Sequence, residues 1–253
     1  MADNIKITFL GTNGWYTTQT GNTTCVFIET EKAYIVLDAG NGINKLDQYI
    51  KDDTKPVYLC LSHFHIDHIS GIHTFAKFRF PQGMTILCFK GGKKILDNII
   101  KQPYTIALDD LPFKVQVKEL NEGKDLSFSF GLETREMPHS SKCFAYRFDF
   151  DGKIVAFCTD AGYCENAVKI AENADLLISE CTLKPGQKTE EWPHLNPEDA
   201  ATLAKEAGVK KLILMHFDAE IYRTLEERKD SEKVASKIFK NVIVAQDDMV
   251  IEI

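Results

Sequence analysis

Residues 62–71 read Ser-His-Phe-His-Ile-Asp-His-Ile-Ser-Gly, directly after the apolar run 57–61. Three of the chain's seven histidines, His63, His65 and His68, fall within six positions, with Asp67 among them. Imidazole nitrogens and a carboxylate oxygen are the donor set that zinc, iron or manganese takes. His63 and His65 stand two apart, so in an extended segment they face the same way. Asp67 and His68 follow the turn and address a second point nearby. A solvated polar loop is the competing reading, and four donors in six positions after a buried strand weigh against it. The fold sought is one in which a strand end delivers closely spaced side chains to a single point.

The rest of the chain supplies strands for such a fold. Short apolar runs between turn signals predict strands at 5–10, 24–29, 33–37, 57–61, 84–89, 113–120, 125–130, 133–137, 144–150, 153–158, 176–179, 211–215, 242–245 and 249–253. Helices are expected at 43–50, 67–78, 92–101, 165–172, 197–207 and 225–239. Asp151-Gly152 makes a two-residue hairpin turn. Asn196 caps a helix with Pro197 at its first position, and Gly208 stops it. Hairpins mix with β-α-β stretches, which fits sheets covered by helices on their outer faces. No Pro/Ser/Gly-rich linker divides the chain.

Composition excludes several classes. Lys plus Arg is 30 against 37 for Asp plus Glu, a net charge of −7, which argues against a general nucleic-acid binder. No run approaches the ~20 apolar residues of a bilayer span. The first residues lack a signal-peptide profile, so the expected location is cytoplasmic. The seven cysteines are odd in number, form no C-x-x-C pair and sit mostly in apolar runs. They read as reduced, buried thiols rather than a disulfide framework.

His63-Phe-His65-Ile-Asp67-His68 resembles the H-x-H-x-D-H motif of the metallo-β-lactamase superfamily of hydrolases. That family also uses a lone histidine, an aspartate and a last histidine at strand ends. Here His139 follows the run 132–137, Asp160 ends Ala-Phe-Cys-Thr-Asp, and His216 ends Leu-Ile-Leu-Met-His. The resemblance runs from about residue 5 to residue 253. It implies an α/β fold, the four-layer αβ/βα sandwich of two mixed β-sheets flanked by helices, with 1–253 as a single hydrolase domain. It also implies two divalent metal ions, zinc first and manganese or iron as alternatives. His63, His65 and His139 would hold one, Asp67, His68 and His216 the other, and Asp160 would bridge them. Such a pair lies roughly 3.5–4 Å apart and brings a bridging water towards a pKa of ~7, making the hydroxide nucleophile that Asp67 helps to orient. The β-lactamases proper commonly place cysteine where Asp160 stands, and flavodiiron proteins a glutamate where His65 stands. Both activities are therefore disfavoured.

A closer resemblance is to the ribonuclease Z branch and its phosphodiesterase relatives. It rests on Phe9-Leu-Gly-Thr-Asn-Gly, Gly21-Asn-Thr-Thr and Phe157-Cys-Thr-Asp, and on Leu177-Ile-Ser-Glu-Cys-Thr, which is similar to an H-E-A-T motif with Ser179 and Cys181 substituted. It implies that Glu180 orients His194, which protonates a leaving oxygen. A carboxylate-oriented imidazole suits that task near neutral pH. The competing readings are a helix-capping loop histidine and an ordinary strand-end carboxylate. Ribonuclease Z proteins usually carry an extra Gly/Pro-containing arm that grips tRNA, and the span between His68 and His139 holds none. Lys90, Lys93, Lys94 and Lys101 there read as a solvated face rather than an RNA clamp. The favoured function is thus a phosphodiesterase acting on a small-molecule or nucleotide phosphodiester, without a membrane partner. The alternatives are a carboxylic ester, lactone or thioester hydrolase on the same metals, a ribonuclease Z-like RNA 3′-processing nuclease, and a non-catalytic metal-binding module. A homodimer is expected from similar proteins. Asp38 is expected to bond a ligand histidine. His73 reads as structural, and Gly91-Gly-Lys lacks the spacing of a phosphate loop. Trp15, Tyr16 and Trp192 either wall a substrate pocket or cover apolar surface.

Overall fold

The structure, a computed structural model, describes residues 5–189 and 193–253. Its first half runs β1 (Lys6–Gly11), β2 (Asn13–Gly14), β3 (Cys25–Glu29), β4 (Tyr34–Leu37), β5 (Val57–Cys60), α1 (Ile66–Ile69), β6 (Met84–Phe89), α2 (Gly92–Ile99) and β7 (Val115–Leu120). The second half runs β8 (Gly123–Asp125), β9 (Gly131–Met137), β10 (Cys143–Phe150), β11 (Lys153–Cys158), α3 (Glu165–Ala171), β12 (Leu176–Glu180), α4 (Pro197–Glu206), β13 (Leu212–Met215), β14 (Phe217–Asp218), α5 (Leu225–Ala235), β15 (Val242–Val244) and β16 (Val250–Glu252). One seven-stranded sheet has the order β16-β1-β3-β4-β5-β6-β7, and the other β15-β13-β12-β11-β10-β9-β8. Each is mixed: β3–β4 and β10–β11 pair antiparallel, β4–β5 and β11–β12 parallel. The short pair β14-β2 links the two halves beside the strand ends.

Period-two alternation divides the apolar residues among three layers. Ile7, Phe9, Val26 and Ile35 of the first sheet meet Val155, Phe157, Ile178 and Ile213 of the second in one central core. The intervening residues face outward. Phe27, Tyr34 and Val36 pack with Ile43, Leu46, Phe75 and Leu96. Ala156, Leu177 and Leu214 pack with Ile170, Ala200 and Leu203. Helix, sheet, sheet and helix therefore stack in four layers, as the resemblance implies.

Several local expectations hold. Asp151 (φ 52°) and Gly152 (φ 94°) form the left-handed turn between β10 and β11. Asn196 accepts a hydrogen bond from the Asp199 N–H at 2.8 Å and caps α4. All seven cysteines are free, and six are buried. Two expectations fail. Residues 126–130 are not a strand, because the Asp125 carboxylate accepts from both the N–H and the hydroxyl of Ser127 and turns the chain. Phe128 and Phe130 instead stack beside Tyr58. The expected helices at 43–50 and 67–78 are mostly tighter 3₁₀ turns, Asn41–Gln48 and Ser70–Lys77. No helix among the described residues is long and apolar enough to cross a membrane.

Candidate active site

Parallel strands leave the sheets at one edge, where their first loop residues converge. Asp38 follows β4, Ser62 and His63 follow β5, Asp160 follows β11, Glu180 ends β12 and His216 follows β13. His139 arrives from β9. The donor atoms form two groups, His63, His65, His139 and Asp160 in one, Asp67, His68 and His216 in the other, each spanning no more than 4.8 Å. His139 Nε2 lies 3.2 Å from His65 Nδ1, and His63 Nε2 3.6 Å from Asp160 Oδ2. His216 Nε2 lies 2.9 Å from Asp160 Oδ1 and 3.1 Å from His68 Nε2. Asp160 therefore turns one oxygen towards each group.

Hydrogen bonds behind the cluster fix the imidazole tautomers. Asp38, fully buried, accepts from the Ser62 N–H (2.7 Å) and hydroxyl (2.8 Å), and faces His68 Nδ1 at 2.8 Å. A carboxylate only accepts, so His68 carries hydrogen on Nδ1 and turns Nε2 inward. The Ser62 hydroxyl gives its one hydrogen to Asp38, so it accepts from His63 Nδ1 at 2.9 Å. That leaves His63 Nε2 buried, without a hydrogen-bond partner and beside Asp160. The second sheet repeats the device. Thr182 Oγ1 donates to Glu180 at 2.5 Å and accepts from His216 Nδ1 at 3.0 Å, turning His216 Nε2 inward.

The electrostatics agree with a cation site. Burial opposes charge on His68 and His216, yet Asp160 and Asp67 outweigh it, raising His68 and pushing His216 up to about 10. Burial likewise opposes charge on Asp67 and Asp160, and the neighbouring histidines hold both below the ordinary carboxylate range. Burial instead dominates at His63, which is lowered, and at His139, lowered to about 4, so both keep bare nitrogens. The cluster calls for positive charge, and divalent ions displace protons from such a donor set. Convergent lone pairs, an orphaned Nε2 and two carboxylates fit divalent metals.

Backbone strain gathers here too. Trp15 (φ 70°), Asp38 (57°), Asp160 (49°) and His216 (53°) are four of the seven described non-glycine residues with positive φ. Such conformations persist where surrounding structure over-determines them, commonly at functional sites. Gly14 permits the close approach of β2, because a Cβ there would stand 2.6 Å from the His216 ring. The cavity over the cluster measures about 610 Å³ and adds Trp15, Leu183, His194 and Asp218 to its walls. His194 belongs to neither donor group. Its Nδ1 lies 3.0 and 3.1 Å from the Glu180 oxygens, and its ring centroid 5.7 Å from that of His139. Glu180, 1% exposed, also accepts the N–H groups of Ala161 (2.6 Å) and Leu195 (3.2 Å). Burial opposes protonation of His194, and Glu180 overcomes it and raises the imidazole pKa.

Residues 33–217 match the family described as Beta-lactamase superfamily domain, a span of well over half the chain. The chain belongs to the beta-lactamase superfamily. With this His/Asp cluster it is a metal-dependent hydrolase of that superfamily. The chain is 26% identical to a Ribonuclease Z of Agathobacter rectalis over 307 aligned positions, covering 98% of each protein. Among solved structures, the metallo-beta-lactamase fold protein YhfI from Bacillus subtilis superposes with a TM-score of 0.82 at 23% identity, covering 99% of both chains. A diphosphatase from the PhnP family gives 0.76 at 13% identity over 98% of both. The superfamily fold is the one described above.

Every metal-ligand candidate named from the sequence lies in the cluster, and Glu180 and His194 meet beside it. Asp38 bonds His68 as expected. His73 is exposed and bonds the carbonyl of Ser70, and Lys93 pairs with Asp97. Trp15 walls the cavity, whereas Trp192 lies outside the described residues. The sequence reading missed the hydroxyl relays of Ser62 and Thr182. Their only signal was adjacency, one residue before His63 and two after Glu180.

Proposed function

We propose that residues 1–253 form one hydrolase domain that holds two divalent metals, zinc by preference, and cleaves phosphodiesters. His63, His65 and His139 hold one ion, Asp67, His68 and His216 the other, and Asp160 serves both. When bound, the ions supply Lewis-acid polarisation of a phosphoryl oxygen and a water acidified towards neutral pH. Asp67 takes the Trp15 N–H at 2.9 Å, which fixes the carboxylate that orients the attacking water. The observation that carries the phosphodiesterase reading is the Glu180–His194 pair. Glu180 occupies the Nδ1 edge of His194, and the ring lines the cavity. Nε2 is then the edge that delivers a proton to a departing alkoxide, a poor leaving group that requires one. A thiolate requires no such acid, so the pair argues against the thioester reading.

The Ribonuclease Z relatives favour RNA as a second reading. Against it, their alignment extends over 307 positions for a chain of 253, so the relative carries segments that this chain lacks. The net charge of −7 also gives no general attraction for a polyanion. A small phosphodiester is the preferred substrate. The test is turnover of bis(p-nitrophenyl) phosphate by protein loaded separately with zinc and manganese. Asp160→Ala is expected to lower it by about 10³-fold or more, because the change strips the shared ligand. No turnover by protein with metals bound would contradict the reading.

A further inference from the structure

Of the four strained residues around the cavity, three have their reason in the cluster. Asp38, Asp160 and His216 aim donor atoms at it or at its ligands. The Trp15 side chain has no such reason, although its backbone N–H bonds Asp67. It offers no metal-binding group, and its surface is 62% exposed. A bulky residue with positive φ is an outlier, and an exposed indole forgoes the burial that a large aromatic ring usually gains.

The surrounding loop is nonetheless built to hold it. The Trp15 N–H donates to the Asp67 carboxylate at 2.9 Å, so the indole stands one backbone group from the cluster. The Tyr16 N–H donates to the Gly14 carbonyl at 3.0 Å, and Asn13 Nδ2 donates to the Tyr16 carbonyl at 3.1 Å. Behind them Arg228, fully buried, donates to Thr12 Oγ1 at 3.0 Å, to Asn13 Oδ1 and to Thr20 Oγ1 at 2.9 Å. Tyr16 meets the indole edge to face, with centroids 5.2 Å apart, a contact that engages at most one indole face. The cavity chemistry narrows what the other face receives. No lysine or arginine lines the cavity among the described residues, so nothing there neutralises a second phosphate. Trp15 and Leu183 add apolar surface to its lining.

We propose that Trp15 is the platform on which the base of a nucleotide phosphodiester stacks while its single phosphate meets the cluster. This deepens the phosphodiesterase reading and rests on it. The Trp15 indole is then a specificity determinant with no part in the bond-breaking step. Base–aromatic stacking is sequence-tolerant, because every base offers a flat face.

The experiment compares two diesters with the same leaving group, thymidine 5′-(p-nitrophenyl phosphate) and methyl p-nitrophenyl phosphate. The ratio of their kcat/KM values reports recognition of the base. Trp15→Ala should reduce that ratio by on the order of 10- to 100-fold, mainly through KM. Trp15→Phe should retain most of it, and Trp15→Leu, apolar without a flat face, should behave like Ala. An unchanged ratio in Trp15→Ala, or a Leu variant equal to the parent, would overturn the platform. Methyl p-nitrophenyl phosphate alone tests the phosphodiesterase reading, because failure to cleave it sinks that reading whatever Trp15 does. A second readout needs no turnover. In a Trp192→Phe background Trp15 is the chain's one indole. Its fluorescence should be quenched by adenosine 5′-monophosphate and not by ribose 5-phosphate, and equal responses to both would refute stacking.

Discussion

Asp38 and Glu180 are buried carboxylates at the ends of opposite sheets, and each commands two histidines. Asp38 bonds His68 directly and reaches His63 through the Ser62 hydroxyl. Glu180 bonds His194 directly and reaches His216 through the Thr182 hydroxyl. The wiring is the same, but the partners differ. Both histidines behind Asp38 belong to the donor groups. Behind Glu180 only His216 does, and His194 stands at the cavity wall. On the proposed function, the carboxylate of the first sheet serves metal ligands alone, whereas that of the second is divided between a ligand and a proton donor.

Of the two arms, breaking the proton-donor arm should have the larger effect. His194→Ala is expected to lower kcat by roughly 10²–10³-fold for diesters with alkoxide leaving groups and far less for p-nitrophenyl esters. Metal content should not change. The pH profile sharpens this. The donor must be protonated, and Glu180 raises the His194 pKa. Activity on alkoxide substrates should therefore persist below that raised value and fall as pH climbs through it. The falling limb should be missing in His194→Ala.

Asp38→Asn should act on the other arm. Losing the acceptor for Ser62 and His68 is expected to weaken metal binding by about 10- to 100-fold in chelator competition. Saturating metal should restore its leaving-group selectivity. A smaller effect is expected at Thr182. Thr182→Val keeps the shape and removes the hydroxyl relay to His216, costing about tenfold in affinity for the ion that His216 would hold. Thr182→Ser should recover it, and a Ser variant as poor as Val would mean that the methyl group matters and the relay does not.

The two arms also differ in how plainly the sequence announced them. His63, His65, Asp67 and His68 are contiguous after one buried strand, so their convergence is a local property. Asp160, His139 and His216 are scattered and were placed by resemblance, each at the end of an apolar run. Ser62 and Thr182 could not be assigned, because a lone hydroxyl beside a strand has many uses. The role of Thr182 comes from register: β12 and β13 pair Glu180 with Met215, which brings the residues just beyond them together. Central strands were legible as short, nearly continuous apolar runs, buried on both faces. Residues 126–130 alternate apolar and polar and were misread as a strand, because the Asp125 side chain outcompeted the ladder.

The division of labour is tested most directly by leaving-group dependence in Asp38→Asn and Glu180→Gln, both saturated with metal. A series of aryl and alkyl phosphodiesters would be plotted as log kcat against leaving-group pKa. Glu180→Gln should steepen the dependence relative to the parent, since His194 loses the carboxylate that holds it as a donor, and Asp38→Asn should leave the slope as it was. Parallel slopes in all three proteins, or a steeper slope in Asp38→Asn, would contradict the account.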